Sequence, residues 1–286
     1  MGISFKEVSH VYPKHKKNQF TVAIENINLE IASSGEFLAL VGKTGSGKST
    51  LIQHMNALLL PTSGNVEIFD KVITPKKNKN PKLKDIRKKV GFVFQFPEYQ
   101  LFEETVLKDI MFAPKNFGFS EEESKEKALK TAKLLRIDDS ILNKSPFNLS
   151  GGQMRKAAVA GILAYEPDIL LLDEPTRGLD PKAAEEIMEI FYQIHKEYNK
   201  TIILISHDMN LVYQYATRVV VMNNGEIAFD GDKVKLFSTD IYKRNHLTKP
   251  DVLDLIDHLN KALGYKLDYQ TFTYNDLLSK VVKLHE

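Results

Sequence analysis

Cysteine is absent from all 286 residues. That excludes disulfide staples, thiolate zinc sites, iron–sulfur clusters and a cysteine nucleophile. It fits a reducing compartment, although absence alone does not establish one. Long apolar runs are also missing. Those that occur, such as Ile169–Leu172, Ile202–Ile205 and Val219–Met222, are strand-length, far below the ~20 residues of a membrane-spanning helix. The chain is therefore expected not to cross a bilayer itself, so a partner must hold it at any membrane where it works. No signal peptide is expected either, because Lys6, Lys14, Lys16 and Lys17 interrupt the N-terminal apolar positions. Charge of one sign is lacking: 39 Lys and Arg face 37 Asp and Glu, a net charge of +2. The whole molecule thus makes no electrostatic case for binding nucleic acid. Internal repeats and low-complexity tracts are absent too.

What is present is a chain of ordinary apolar content, 43%, and slightly high charged content, 27%. Its length fits one large domain with or without an appendage. Short β-rich runs alternate with helical patterns. Phe37–Val41 reads as a buried strand, followed by a glycine-rich turn and a helix over Lys48–Leu58. Ile169–Asp173, Thr201–Ser206 and Arg218–Met222 read as further strands, with a helix over Pro181–Tyr198 between the first two. Continuous apolar runs suit central parallel strands buried on both faces, and the alternation predicts a doubly wound α/β sheet. From about 96 to 166 the pattern turns mainly helical, with helices over Glu121–Arg136 and Gly151–Tyr165, so a helical subdomain is inserted in the α/β domain. Residues 1–235 form the main domain in this reading and 236–286 a mainly helical C-terminal extension. In the extension, Val252, Leu255, Ile256, Leu259 and Leu263 repeat at helical spacing. A last short helix near Leu277–Leu284 follows the capping-type pattern Thr273-x-x-Asp276.

Gly42-Lys43-Thr44-Gly45-Ser46-Gly47-Lys48-Ser49 is a complete P-loop pattern, directly after a strand and directly before a helix. Glycines let backbone N–H groups curl around phosphate oxygens without side-chain clashes, and the helix N-terminus adds its partial positive charge. Gly42 to Thr50 are accordingly the expected nucleotide-binding residues. Lys48 is expected to reach the β- and γ-phosphates, and the Ser49 hydroxyl to ligate Mg²⁺. The strand Ile169–Asp173 supplies the second half. An acid at the end of a buried strand beside a P-loop can hold Mg²⁺ directly or through water, the role expected of Asp173. The next residue, Glu174, can accept a proton from the attacking water. An acidic pair after a strand is otherwise an ordinary cap or turn; the P-loop gives it a chemical reading.

Leu149-Ser150-Gly151-Gly152-Gln153 narrows the class. It opens a helix, where free N–H groups and small residues suit an anion, yet a P-loop chain needs no second anion site for its own nucleotide. The motif resembles the signature of ABC (ATP-binding-cassette) ATPases, which contacts the γ-phosphate of ATP held by the opposite subunit. The resemblance covers roughly residues 3–235 and implies a P-loop ABC nucleotide-binding domain: a mixed sheet with a RecA-like core plus a helical subdomain. Other residues then match family positions. Gln95, after the strand Val90–Phe94, resembles the Q-loop glutamine that senses Mg²⁺ and the attacking water. Gly178-Leu179-Asp180 resembles the D-loop, and His207 the switch histidine at the γ-phosphate. Tyr12 resembles the aromatic that stacks on adenine, though a lone tyrosine there also suits packing. The resemblance implies Glu174, His207, Gln95 and Lys48 as catalytic residues, with Ser49, Gln95 and Asp173 at the metal. It also implies two cassettes facing head to tail.

The segment Phe94-Gln-Phe-Pro-Glu-Tyr-Gln-Leu-Phe-Glu-Glu-Thr-Val106, with Phe117-Gly118 and the run Leu149–Arg155, resembles one of the paired ATPases of energy-coupling factor (ECF) transporters, the partner type with Phe-Pro-Glu. What that implies is an ATP-hydrolysing motor at the cytoplasmic face of the cell membrane, driving uptake of vitamins or transition-metal ions. Its implied partners are a sister ABC ATPase, a transmembrane scaffold protein and a small membrane substrate-binding subunit. Phe94, Phe96, Tyr99 and Phe102 with Glu98, Glu103 and Glu104 suit docking of a basic amphipathic helix, although some of these aromatics also suit the insert's own core. The extension resembles the family's dimer-holding element, and a self-packing helix pair fits its periodicity as well. Lys71–Lys89, nine basic residues against Asp85, reads first as a solvated loop and strand edge; contact with anionic lipid is the alternative. The nearest rival is the ATPase of another ABC transporter type. A nucleic-acid ABC ATPase would need coiled-coil arms or zinc modules, a translation-type protein two cassettes, and a non-catalytic cassette would lack Lys48, Asp173, Glu174 or His207.

Overall fold

A computed structural model describes residues 2–13 and 20–284; Lys14, Lys16 and Lys17 lie outside the described residues. The strands are β1 (Ile3–Pro13), β2 (Phe20–Ile31), β3 (Phe37–Val41), β4 (Ser63–Ile68), β5 (Lys71–Ile73), β6 (Val90–Val93), β7 (Ile169–Asp173), β8 (Thr201–Ile205), β9 (Arg218–Asn223) and β10 (Glu226–Asp232). The helices are α1 (Lys48–Met55), α2 (Leu83–Lys89), α3 (Val106–Asn116), α4 (Glu121–Leu134), α5 (Asp139–Leu142) and α6 (Gly151–Leu163). They continue with α7 (Pro181–Tyr198), α8 (Met209–Tyr215), α9 (Lys233–Phe237), α10 (Ile241–Arg244), α11 (Asp251–Leu263) and α12 (Tyr274–Lys283).

Two sheets organise these elements. The central one runs β10-β9-β3-β8-β7-β6, parallel from β9 to β6 with β10 added antiparallel. A smaller sheet, β2-β1-β4-β5, is antiparallel throughout. The fold is therefore α/β with a mixed sheet, as expected, and the helical insert fills the segment between β6 and β7.

Strand periodicity divides the core. Leu38, Leu40, Ile169, Leu171, Ile203 and Ile205 point to one face of the central sheet and pack with Leu51 and Ile52 of α1. Their neighbours Ala39, Val41, Leu170, Leu172, Ile202 and Leu204 point to the other, onto α3, α4, α6, α7 and α8. Because successive side chains alternate faces, an uninterrupted apolar run such as Ile169–Leu172 fills both layers. Val252, Leu253, Ile256 and Leu277 of the extension belong to the second layer.

Several helix starts follow from capping. Ser150 accepts from the Gln153 N–H while Gln153 accepts from the Ser150 N–H, a reciprocal box at α6. Asp180 caps α7 through the Ala183 N–H at 3.0 Å, and Thr273 caps α12 through Asp276. Ends are less regular than their patterns. The helix from Lys48 stops at Met55 rather than Leu58: Ala57 takes a left-handed φ of 55°, and the Leu58 and Leu59 N–H groups fold back onto the Gln53 carbonyl. Helices α4 and α6 each end two residues before the expected position. In the basic stretch, β5 is an edge strand and α2 follows an exposed loop, in line with the solvated reading. Among the described residues no helix is long and apolar enough to cross a membrane.

Candidate active site

The loop after β3 is shaped by close backbone approach. At Gly42, φ is 142° and a Cβ would stand 2.2 Å from the Met222 carbonyl. At Gly47, φ is 104° and a Cβ would stand 2.5 Å from the Ala23 carbonyl. Both positions need glycine. The β9–β10 turn braces the loop from outside, since the Gly225 N–H donates to the Ser46 carbonyl at 3.1 Å and its carbonyl accepts from Glu25. Lys48 is 6% exposed; its Nζ donates to the carbonyls of Gly42 at 2.7 Å and Lys43 at 2.8 Å. Burial lowers its pKa, partly opposed by the charges of Glu174 and Asp173.

A cleft of ≈ 390 Å³ opens above this loop. Lys48, Ser49, Gln95, Asp173, Glu174 and His207 all line it, so residues separated by up to 159 positions converge there. Thr44, Gly45, Gly47 and Thr50 line it as well, while Gly42 and Ser46 are buried and Lys43 is exposed. Parallel strands deliver the chemistry: Asp173 ends β7, Glu174 follows it, His207 follows β8 by two residues, and Gln95 follows β6 by two. All leave the carboxyl end of the central sheet, where open α/β sheets bind ligands.

Glu174 is the hub. Its Oε2 accepts from Gln95 Nε2 at 3.1 Å and from Arg177 Nη1 at 2.9 Å, and its Oε1 lies 2.9 Å from His207 Nε2. Its backbone takes φ 48°, a left-handed conformation costing on the order of 1 kcal/mol for a non-glycine residue. The Glu174 N–H bonded to the Ile205 carbonyl at 3.0 Å holds it there. Asp173 is pushed up to about 6 by burial and the neighbouring Glu174, against the pull of Lys48. A carboxylate so placed gains from a nearby cation. Among the described residues no three His, Cys, Asp or Glu side chains cluster as a metal cage. A cation here would be held by few protein oxygens, leaving room for water and phosphate oxygens, the pattern Mg²⁺ prefers. The Asp173 carboxylate and Ser49 hydroxyl are hard donors of that kind.

Tyr12 stands beside the cleft, 38% exposed. Its OH meets Thr50 Oγ1 at 3.4 Å and its ring packs edge-on to His10, centroids 4.6 Å apart. Ser150, Gly151, Gly152 and Gln153 lie at the start of α6, with open space where Cβ atoms of Gly151 and Gly152 would stand, and none of the four lines the cleft. Asp180 likewise stays outside it, exposed at the start of α7.

Two features escaped sequence reasoning. Arg177 joins Glu174, a contact three residues away that no family motif marks. The second is Arg155, just past the signature and 4% exposed. It donates to both carboxylate oxygens of Glu98, at 2.7 and 3.0 Å, and to the carbonyls of Arg177 at 2.7 Å and Pro175 at 3.4 Å. Burial, the largest single influence, would raise the Glu98 pKa; the Arg155 hydrogen bond, a backbone hydrogen bond and the Arg155 charge together outweigh it and hold the carboxyl below its ordinary value. Glu98 is thus an internal strut and not, as its neighbours suggest, part of an acidic rim. Tyr99 and Phe102 do stand exposed, at 84% and 56%.

Comparison with known proteins places this geometry. A family model described as ABC transporter matches residues 24–177. The energy-coupling factor transporter ATP-binding protein EcfA2 of Enterococcus faecalis is 48% identical over 99% of this chain and 97% of its own length. EcfA2 of Clostridium perfringens is 46% identical over 99% of this chain and 98% of its own. Among solved structures, cbiO1 from Clostridium perfringens, part of the ABC transporter complex cbiONQ, is 32% identical with TM-score 0.72, covering 92% of this chain and 95% of that one. A dimeric ATP-binding cassette in a post-hydrolysis state bound to ADP and Pi is 31% identical with TM-score 0.71, covering 80% and 98%. With cleft, signature helix and near-complete coverage in agreement, the chain belongs to the ABC transporter family and, within it, to the ATP-binding proteins of energy-coupling factor transporters.

Proposed function

We propose that the chain is one half of a facing pair of ATPase subunits that powers an ECF importer of vitamins or transition-metal ions from the cytoplasmic face of the membrane. The observation that carries this reading is the convergence of Gln95, Arg177 and His207 on the Glu174 carboxylate above a complete P-loop. In this reading the amides of Gly42 to Ser49 and the Lys48 ammonium hold the phosphates, Thr50 steadies the first turn of α1, and Tyr12 stacks on adenine. Ser49, Gln95 and Asp173 would hold Mg²⁺, whose chemistry is to offset charge on the β- and γ-phosphate oxygens. Glu174 takes a proton from water as the water oxygen bonds to the γ-phosphorus and the bond to ADP breaks. Gln95 and His207 fix the carboxylate and the transferring group, a matter of position and charge more than covalent chemistry.

The signature residues Ser150, Gly151, Gly152 and Gln153, absent from the chain's own cleft, would cover the γ-phosphate of the partner's ATP from the positive end of α6. Asp180 would stand at the seam. The partner is a sister ABC ATPase, and the extension helps to hold the two together. The exposed Tyr99 and Phe102 suit a coupling helix of a transmembrane scaffold protein, which with a small membrane substrate-binding subunit completes the assembly. Phosphate release would reopen the pair, the mechanical stroke.

One experiment tests both halves. The full-length chain carrying Glu174→Gln is purified from its native membranes in mild detergent beside the unaltered chain. Both should bring a sister ATPase, a multi-span scaffold and one or more small membrane proteins. The variant should bind ATP normally and hydrolyse it about a hundredfold or more slowly, a hundredfold being the lower end of the range for loss of a general base. Normal turnover would remove Glu174 from its role, and recovery of two ordinary permeases would overturn the transporter type.

A further inference from the structure

The helix that follows His207 is fastened from outside the nucleotide domain. Asp208 starts α8 by accepting from the Asn210 and Leu211 N–H groups, so His207 and α8 form one short rigid unit. Three residues past His207, Asn210 makes a reciprocal pair with Asp251, the first residue of α11: Asn210 Nδ2 donates to Asp251 Oδ2 at 2.9 Å, and the Asp251 N–H donates to Asn210 Oδ1 at 2.8 Å. Six residues past His207, the fully buried Tyr213 donates its OH to the Tyr269 carbonyl of the extension. The Tyr213 ring packs against Phe272 of the extension and Phe237 of α9, centroids 5.7 and 5.5 Å apart.

Beneath this joint lies Lys233, 6% exposed. Its Nζ donates to the Tyr213 carbonyl at 2.5 Å and stands 3.9 Å from the centroid of the Phe272 ring. A buried ammonium with one carbonyl and two aromatic faces, Phe272 and, at 5.3 Å, Tyr213, is placed where it resists sliding of α8 against the extension, because leaving these partners strips a desolvated charge. None of these residues touches the cleft.

We propose that Asn210 and Tyr213 are positioning residues for hydrolysis: through α8 they make the C-terminal extension set where the His207 imidazole stands relative to Glu174. The inference rests on the role given above to His207. Its physical basis is that catalytic geometry tolerates little displacement; a misplacement of 1 Å can lower a rate by about 10²-fold. A seven-residue helix pinned at two points passes a shift of the extension to its own start. Movement of the extension against its partner subunit is thereby read at the γ-phosphate.

The test uses the full-length chain in its membrane complex, measuring kcat and KM for ATP together with the melting temperature. Asn210→Ala, at an exposed position, is expected to lower kcat by about tenfold, within the usual range of coupling between linked sites, with KM and melting temperature nearly unchanged. Asn210→Asp sets two carboxylates face to face and should lower kcat similarly. Adding Asp251→Asn to it restores the side-chain bond with donor and acceptor exchanged, while the backbone N–H at position 251 still donates to position 210, and should recover most of the rate. Tyr213→Phe, which removes only the hydroxyl, should act like Asn210→Ala. Wild-type kcat in Asn210→Ala, or no recovery in the exchanged pair, overturns the proposal. A control with His207→Ala separates the two readings: full activity there would sink the His207 role itself, whereas a slow His207→Ala with a normal Asn210→Ala would sink only the relay.

Discussion

Arg155 offers the sharpest energetic test of how the motifs are held together. Its guanidinium, almost wholly buried, bridges α6 to Glu98 and to the carbonyls of Pro175 and Arg177. Replacing it with methionine keeps the stem's packing and removes the head. Glu98, 13% exposed, then keeps a charge with its best partner gone, and two carbonyls lose their donor. Breaking a buried pair by removing one partner costs about 3–5 kcal/mol; the remaining solvent edge of Glu98 argues for the lower end, about 3 kcal/mol. Glu98→Gln retains shape and one acceptor and should cost about 1.5–3 kcal/mol, the size of a hydrogen bond to a charged group. Since the two side chains share one contact, the double variant should lose clearly less than the sum, with a coupling of about 2 kcal/mol. Urea unfolding of the four proteins closes this cycle. ATP turnover should fall in Arg155→Met as well, because the 175–177 carbonyls lie between Glu174 and the start of α7. Losses that simply add, or a loss below about 1 kcal/mol in Arg155→Met, would refute the reasoning.

Two further outcomes follow from buried groups around the P-loop. His54, fully buried in α1, is pushed down to about 4 by burial, against the hydrogen bond it donates to the Thr50 carbonyl at 2.7 Å. Between its ordinary 6.5 and about 4 the unfolded chain binds a proton that the folded chain does not, so stability falls as pH falls through that window. That depression corresponds to about 3 kcal/mol, and His54→Met should flatten that limb in urea titrations at pH 4.5 and 7; an unchanged slope would contradict it. Gly42→Ala should abolish ATP binding or prevent folding, as its Cβ would stand 2.2 Å from the Met222 carbonyl; calorimetric titration showing native affinity would show that the loop can shift.

How legible the molecule was depends on how local each signal is. The P-loop, the strands Phe37–Val41 and Ile169–Asp173 and the helix Pro181–Tyr198 could be read to the residue. Each carries its own punctuation: glycines of special φ, an apolar run that fills two layers, or Asp180 followed by Pro181 at a helix start. The helix after Lys48 was read too long because Leu58 and Leu59 continue the apolar pattern while the backbone has already turned at Ala57. The antiparallel sheet was hard to see, since bulges between Phe5 and Val11 break the alternation of β1. Glu98 was misplaced for a different reason. An ion pair with Arg155 spans 57 positions, and nothing near either residue announces it. The same holds for the joint between α8 and the extension, whose partners lie 41 positions apart.

The division of the core also bears on how the chain can be cut. Along the sequence, the last fifty residues look like an attachment. In three dimensions, Val252, Leu253, Ile256 and Leu277 share one continuous apolar layer with Phe37, Val41 and Leu172 of the central sheet, while the face against α1 belongs to the other layer. The boundary within this protein therefore runs through the thickness of the sheet, separating a half packed on α1 from a half that carries α6 and the extension. Shortening the chain at residue 235 would not release a module; it would strip one half of its own lining.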